Sequence, residues 1–217
     1  MDRHNFFWLF LALLFVLLGV PVADDLEIMY APAVRALFFS SLLGIGVWSL
    51  RGSRRTFSVG IAIVIVGIVM NIVAAKFPSL LFELASFVLL FVFLLLAIAH
   101  TFKQIALENI ISANRLVGAV CVYLLLGFIW AVAYTVLDLL APGTFLELSP
   151  TKGQGWDSEW LYFSFVTMTT LGYGDITPVS ATGKALAYMQ ALFGQLYVAI
   201  LVAGLVSAYI SGRQSGE

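Results

Sequence analysis

Between Ser79 and Ala99 the chain runs for about twenty residues with one charged side chain, Glu83, and no glycine or proline. A hydrocarbon core about 30 Å thick is crossed by roughly 20 apolar residues in a helix. Five further runs approach or exceed that length: Phe6–Val22, Pro32–Leu50, Phe57–Ala75, Leu116–Leu140 and Val179–Ile210. The chain is 62% hydrophobic and 11% charged, against about 25% charged in an average soluble domain. Water cannot solvate that exterior, so lipid must. An integral membrane protein follows, and a cytosolic enzyme, a nucleic-acid binder and a disordered scaffold are excluded.

The breaks between runs are polar. Asp24, Asp25 and Glu27 close the first, Arg51-Gly52-Ser53-Arg54-Arg55 the second, and Lys76-Phe77-Pro78 the third. A charged start before a short apolar run also fits a signal peptide, but Pro21-Val22-Ala23 is a poor cleavage site, which keeps Phe6–Val22 as a helix. With both termini cytoplasmic, Arg3, Arg51, Arg54, Arg55, Lys103, Arg115 and Arg213 lie inside, seven of the 11 basic residues. That bias sets the orientation. The last run, about 48 Å as a helix, exceeds the bilayer and requires tilt.

The segment between the last two runs breaks the pattern. Ala141–Asp157 is polar and turn-rich, and Glu159–Thr169 is apolar but too short to span. It leads into Thr170-Leu171-Gly172-Tyr173-Gly174-Asp175. Non-helical backbone at lipid depth is allowed only where it is buried in protein or lines a wet path, so the segment reads as a re-entrant half-helix and returning loop. Gly172 and Gly174 open backbone angles closed to other residues, which lets successive carbonyls face one side. A carbonyl column replaces a cation's water shell without a fixed charge to trap it. The half-helix also aims its negative dipole end at the same point. A monovalent-cation filter is the chemistry these features predict.

Thr169-Thr170-Leu171-Gly172-Tyr173-Gly174-Asp175 resembles the filter sequence of potassium channels, T-V-G-Y-G-D, with Leu for Val. The resemblance covers the last 100 residues or so. It implies that the carbonyls of Thr170, Leu171, Gly172 and Tyr173 and the Thr170 hydroxyl hold potassium, with Gly174 completing the loop. Gly194 falls where the family has its inner-helix hinge glycine. Close helix approach is the equal alternative there, and packing is the expectation for Gly204. Gln190 and Gln195 face a wet cavity or bond between helices. Tyr162-Phe163 stands where the family often has a Trp-Trp cuff, so Tyr162, Phe163 and Asp175 are the filter supports. Phe163 cannot donate the indole hydrogen bond that the family often gives the filter tyrosine. Val166 replaces a glutamate found in some bacterial members, which leaves Tyr162 as the side chain to reach Asp175.

Six helices with a loop between the last two look like the voltage-gated architecture, yet Ser79–Ala99 has no Arg or Lys. A sensor needs several charges, each contributing about 2.3 kcal/mol per 100 mV, so steep voltage gating by this helix is excluded. Arg35 is the one basic residue set within the first four runs, near an outer edge. Conduction is expected to be passive, leak-like or gated by an input such as lipid, tension or pH.

The expected fold is an all-α membrane protein with six transmembrane helices, a re-entrant pore helix and a filter loop per subunit. Residues 1–99 form a four-helix peripheral domain without sensor charges, 100–115 an amphipathic interfacial linker helix, 116–211 the pore domain and 212–217 a short tail. That tail leaves no room for a cytoplasmic ligand-binding domain. One loop per chain calls for four copies around an axis, a homotetramer. The other partner is lipid, with no nucleic acid.

The expected function is a potassium-selective channel. The alternatives are a non-selective cation channel or a non-conducting accessory subunit. No cofactor is implied, potassium being the permeant ion, and no enzyme: neither paired carboxylates nor a nucleophile–base pair occurs among the spans. His4 and His100 are far apart, and Cys121 sits in an apolar run as a packing residue. The expected location is the plasma membrane, with short loops pointing to a prokaryotic inner membrane.

Overall fold

Each apolar run that can be followed becomes a helix, because a helix satisfies its backbone internally where water is absent. The computed structural model describes residues 5–25, 54–76, 79–107, 113–147 and 158–214. In chain order these form α1 (Asn5–Asp25), α2 (Arg54–Lys76), α3 (Leu80–Leu107), α4 (Ala113–Leu140), β1 (Phe145–Glu147), α5 (Ser158–Met168), β2 (Ile176–Pro178) and α6 (Ala181–Gln214). The run Pro32–Leu50, with Arg35, lies outside the described residues. Among those described, three segments are long and apolar enough to cross a membrane: Leu80–Ile105, Asn114–Leu140 and Ala181–Gly204. The apolar stretches of α1 and α2, Phe6–Val22 and Ser58–Gly67, are shorter.

One boundary differs from expectation. The separate interfacial helix expected over 100–115 is not present as such: α3 runs on unbroken past Ala99 to Leu107. Nothing from His100 to Leu107 breaks a helix, and the buried stripe of Leu94 and Ala97 continues through Thr101, which is 1% exposed. The amphipathic spacing there extends the same helix face. Phe102, next to Thr101, is exposed. Residues 108–112 lie outside the described set, and 113–115 already belong to α4.

At the centre stands α4, which contacts α1, α3, α5 and α6, while α2 packs on α3. The seam with α1 follows from spacing. Leu9, Leu13, Val16 and Val20 recur at four, three and four residues along α1, and Cys121, Leu125, Phe128 and Val132 repeat that rhythm on α4. Each set lines one helical face. Leu161 of α5 joins the same core, so α1 reaches α5 directly. Cys121 is fully buried here, its Sγ 3.5 Å from the Phe6 carbonyl.

A second cluster gathers around Phe145. Phe145 meets Trp160 at 4.8 Å and Phe163 meets Tyr134 at 4.8 Å, both edge to face, the arrangement that ring quadrupoles favour. Phe145 comes from β1, which pairs antiparallel with β2, Phe145 opposite Pro178 and Glu147 opposite Ile176. Ser180 then starts α6 as its N-cap, its Oγ accepting from the Gly183 N–H at 3.0 Å. At 34 residues, α6 is about 51 Å long.

Candidate functional site

The site begins where α5 stops. Beyond Met168 the Leu171 N–H reaches back to the Val166 carbonyl at 2.9 Å and the Thr170 N–H to the Thr167 carbonyl at 3.1 Å. Between them Thr170 takes a φ of 60°. Six-to-one and five-to-two bonds around a left-handed residue are a Schellman cap. Glycine usually fills that position. A threonine there bears a strain of about 1–2 kcal/mol, and it places a hydroxyl at the head of the loop. The Thr170 Oγ donates to the Thr169 carbonyl at 2.7 Å, and the Thr169 Oγ to the Phe165 carbonyl at 2.7 Å.

The loop continues in an alternation. Thr170, Gly172 and Gly174 have φ of 60°, 60° and 82°, while Leu171 and Tyr173 between them stay on the negative side. Such alternation turns successive peptide planes so that their carbonyls can share one side. Leu171 and Tyr173 are 54% and 69% exposed on the single chain.

The far end of the loop is pinned separately. The Tyr162 hydroxyl donates to Asp175 Oδ2 at 2.5 Å, and Asp175 Oδ1 accepts from the Ile176 N–H at 3.0 Å. The tyrosine hydroxyl holds the Asp175 carboxyl below its ordinary value of 3.8, against a smaller opposing push from burial and with a further pull from the backbone N–H groups of Ile176 and Asp175. The β1–β2 pairing then ties the chain after Asp175 to the end of α4. Backbone bonds from Val179 and Ser180 to the Thr144 carbonyl extend that tie.

Behind the loop, α5 is gripped on both sides. Gln190 of α6 is fully buried; its Nε2 donates to the Ser164 carbonyl at 2.9 Å and to Ser164 Oγ at 2.7 Å. Its Oε1 accepts from the Tyr134 hydroxyl at 2.5 Å, and Ser164 Oγ donates to the Gly127 carbonyl at 2.7 Å. One turn further along both helices, Gly194 meets Met168: a Cβ at 194 would lie 2.6 Å from the Met168 carbonyl oxygen. Gly127 likewise admits the Phe165 ring, whose Cζ would stand 2.4 Å from a Cβ there.

The residues expected from sequence are thus distributed unevenly. Thr170 to Gly174 form the loop, and Tyr162 and Asp175 meet. Phe163 packs among Tyr134, Phe145, Trp160 and Ile176. Gly194 is a contact point against the last residue of α5, within a continuous α6. Gln190 bonds between helices, whereas Gln195 is exposed. A Cβ added at Gly204 would meet nothing within 4 Å, so the packing expected of it is not seen among the described residues. Ser164, Tyr134 and Gly127 carry no mark in the sequence beyond polar or small character inside apolar helices.

Residues 118–211 match the family model described as "Ion channel". The chain is 46% identical over 57 residues to Two-pore potassium channel 3 of Arabidopsis thaliana, covering 26% of this chain and 13% of that one. It is 38% identical over 101 residues to Two pore potassium channel a of Oryza sativa subsp. japonica, covering 46% of this chain and 26% of that one. The match to Two pore potassium channel c of the same species is 35% over 85 residues, 37% of this chain and 18% of that one. The chain therefore spans about a quarter or less of the curated relatives it matches. No solved structure matches it. The likeness bears out the resemblance to potassium channels over the residues it covers.

Proposed function

We propose that this chain, whose residues 118–211 carry an ion-channel domain, is one subunit of a homotetrameric, potassium-selective channel of the plasma membrane. The observation that carries the reading is the φ alternation at Thr170, Gly172 and Gly174, held between a helix cap at one end and the Tyr162–Asp175 bond at the other. A potassium ion sheds its water only if oxygens replace it at the right spacing. The carbonyls of Thr170, Leu171, Gly172 and Tyr173 are those oxygens. The Thr170 Oγ spends its proton on Thr169 and so turns lone pairs, not a hydrogen, toward the ion. The C-terminal dipole of α5 adds negative potential at the same end. Potassium is cargo here and no resident cofactor is needed.

Four copies are needed because one chain supplies the Thr-Leu-Gly-Tyr-Gly-Asp loop once. Leu171 and Tyr173 lie bare on the single chain, as do Tyr188, Leu192, Phe193 and Leu196 along α6. Neighbouring copies covering this strip would turn it into subunit interface around the axis. Six spans per subunit, with Pro32–Leu50 as the second, keep both termini cytoplasmic. Lys103 is the one basic residue of α3, next to its C-terminal end, so passive conduction without a voltage sensor fits.

The test is potassium against sodium flux in liposomes holding the purified chain alone, with Gly172→Ala beside it. Alanine at a φ of 60° is strained by about 1–2 kcal/mol in each subunit. Potassium-selective flux abolished by the substitution is the expected result. Equal flux of both ions overturns the selectivity. An assembled tetramer that passes neither ion overturns the channel reading of this chain.

A further inference from the structure

We propose that Gln190 is a positioning residue for ion selection: its side-chain amide locks the pore helix α5 between α4 and α6 and so sets the height of the filter loop. The proposal rests on the channel reading above. Its geometry is independent of the filter sequence.

The amide sits where no water reaches; Gln190, Ser164 and Tyr134 are each 0% exposed. Its orientation is fixed by chemistry. The Ser164 carbonyl can only accept, so the amide nitrogen must face it, and the amide oxygen then faces the Tyr134 hydroxyl. Every proton in the group is used: two from Gln190 Nε2 to Ser164, one from Tyr134 to Gln190 Oε1, one from Ser164 Oγ to the Gly127 carbonyl. Three helices are thereby joined through one side chain. A fully satisfied polar group in an apolar surround is directional in a way that leucine packing is not, because sliding by a fraction of an ångström breaks bonds that nothing else can replace.

The position of this clamp gives it its effect. Ser164 precedes Met168 by four residues on α5, and Gln190 precedes Gly194 by four on α6. The Ser164–Gln190 bonds and the Met168–Gly194 contact are therefore two rungs one turn apart, running in the same sense along both helices. The first rung is specific in direction and the second in distance. Met168 is the last residue of α5, and the Schellman cap hands its position on to Thr170 and Leu171. Axial play at Ser164 therefore becomes axial play of the carbonyls that must match a bare ion.

The experiment compares wild type, Gln190→Leu, Tyr134→Phe and the double variant, each purified and reconstituted in liposomes. The readouts are the potassium-to-sodium permeability ratio from reversal potentials and the melting temperature of the assembled protein. Gln190→Leu is expected to keep potassium flux and lower the ratio about tenfold, the scale set by losing a buried hydrogen bond. Tyr134→Phe, which removes one hydroxyl, lowers it less. The double variant leaves no unpaired tyrosine hydroxyl, so it recovers melting temperature over Gln190→Leu while its ratio stays low. That split separates positioning from mere stability.

A wild-type ratio in folded Gln190→Leu and Tyr134→Phe overturns the clamp and leaves the channel reading standing. If Gln190→Leu does not assemble, an unchanged ratio in Tyr134→Phe overturns it alone. A wild-type protein with no potassium preference overturns the underlying reading instead.

Discussion

Gly194→Ala adds one methyl group at the closest approach between α6 and α5. The new Cβ would stand 2.6 Å from the Met168 carbonyl oxygen and 2.7 Å from its Cγ. Carbon and carbonyl oxygen ordinarily approach to about 3.3–3.6 Å, so the two helices must part by about 0.7 Å or more. The obstructing oxygen is backbone and cannot swing aside as a side chain would. Overpacking of this kind costs about 1–3 kcal/mol. The displaced residue directly follows Val166 and Thr167, whose carbonyls accept the cap bonds of Leu171 and Thr170. The expected outcome is a lower melting temperature together with a lower potassium-to-sodium permeability ratio. A hinge at Gly194 would instead change how often the channel opens and leave the ratio intact. Reversal potentials under mixed ions, with thermal unfolding of the same preparation, decide the matter. A wild-type ratio and melting temperature in Gly194→Ala would refute the contact reasoning.

Gly127→Ala drives a Cβ into the Phe165 ring while the Ser164–Gly127 bond prevents α5 from backing away; a loss of about 1–3 kcal/mol in thermal unfolding is expected. Thr170→Gly relieves left-handed strain worth about 1–2 kcal/mol but deletes the hydroxyl. Higher melting temperature with weaker potassium binding is the expected pair, and Thr170→Ala should show the second without the first. Tyr162→Phe removes the donor that holds the Asp175 carboxyl below 3.8. Because the folded value is depressed, the bond's stabilisation is complete above that pH and disappears as pH falls through the lower folded value. The loss in filter stability should therefore be constant from about pH 7 to 5 and vanish only below about pH 4, followed by the decay of potassium flux with time.

The Thr170–Gly174 loop is legible in the sequence because its chemistry is local. Gly172 and Gly174 announce backbone angles that few residues adopt, and a half-helix too short to span must turn back. The third left-handed position, Thr170, carries no such mark, since it is imposed by the helix cap and borne as strain. The stretch of α3 through Thr101 to Leu107 reads as a separate element because amphipathic spacing alone does not say which neighbour covers the apolar side; in the fold the same face simply continues. The sequence does not show that Phe163 packs with Tyr134, Phe145, Trp160 and Ile176, residues brought together from four elements.

By itself the sequence determined that this chain is a multi-pass membrane protein, that its described apolar runs are helical, and that a half-helix too short to span turns back at Gly172 and Gly174. Those conclusions need only the period of a helix, the thickness of a bilayer and the freedom of glycine. Only the tertiary structure decided that Gln190, Ser164 and Tyr134 share their hydrogen bonds, that Gly194 meets Met168, and that α1 lies against α5. These are contacts between residues far apart in the chain, and no local pattern specifies which buried polar group another will find.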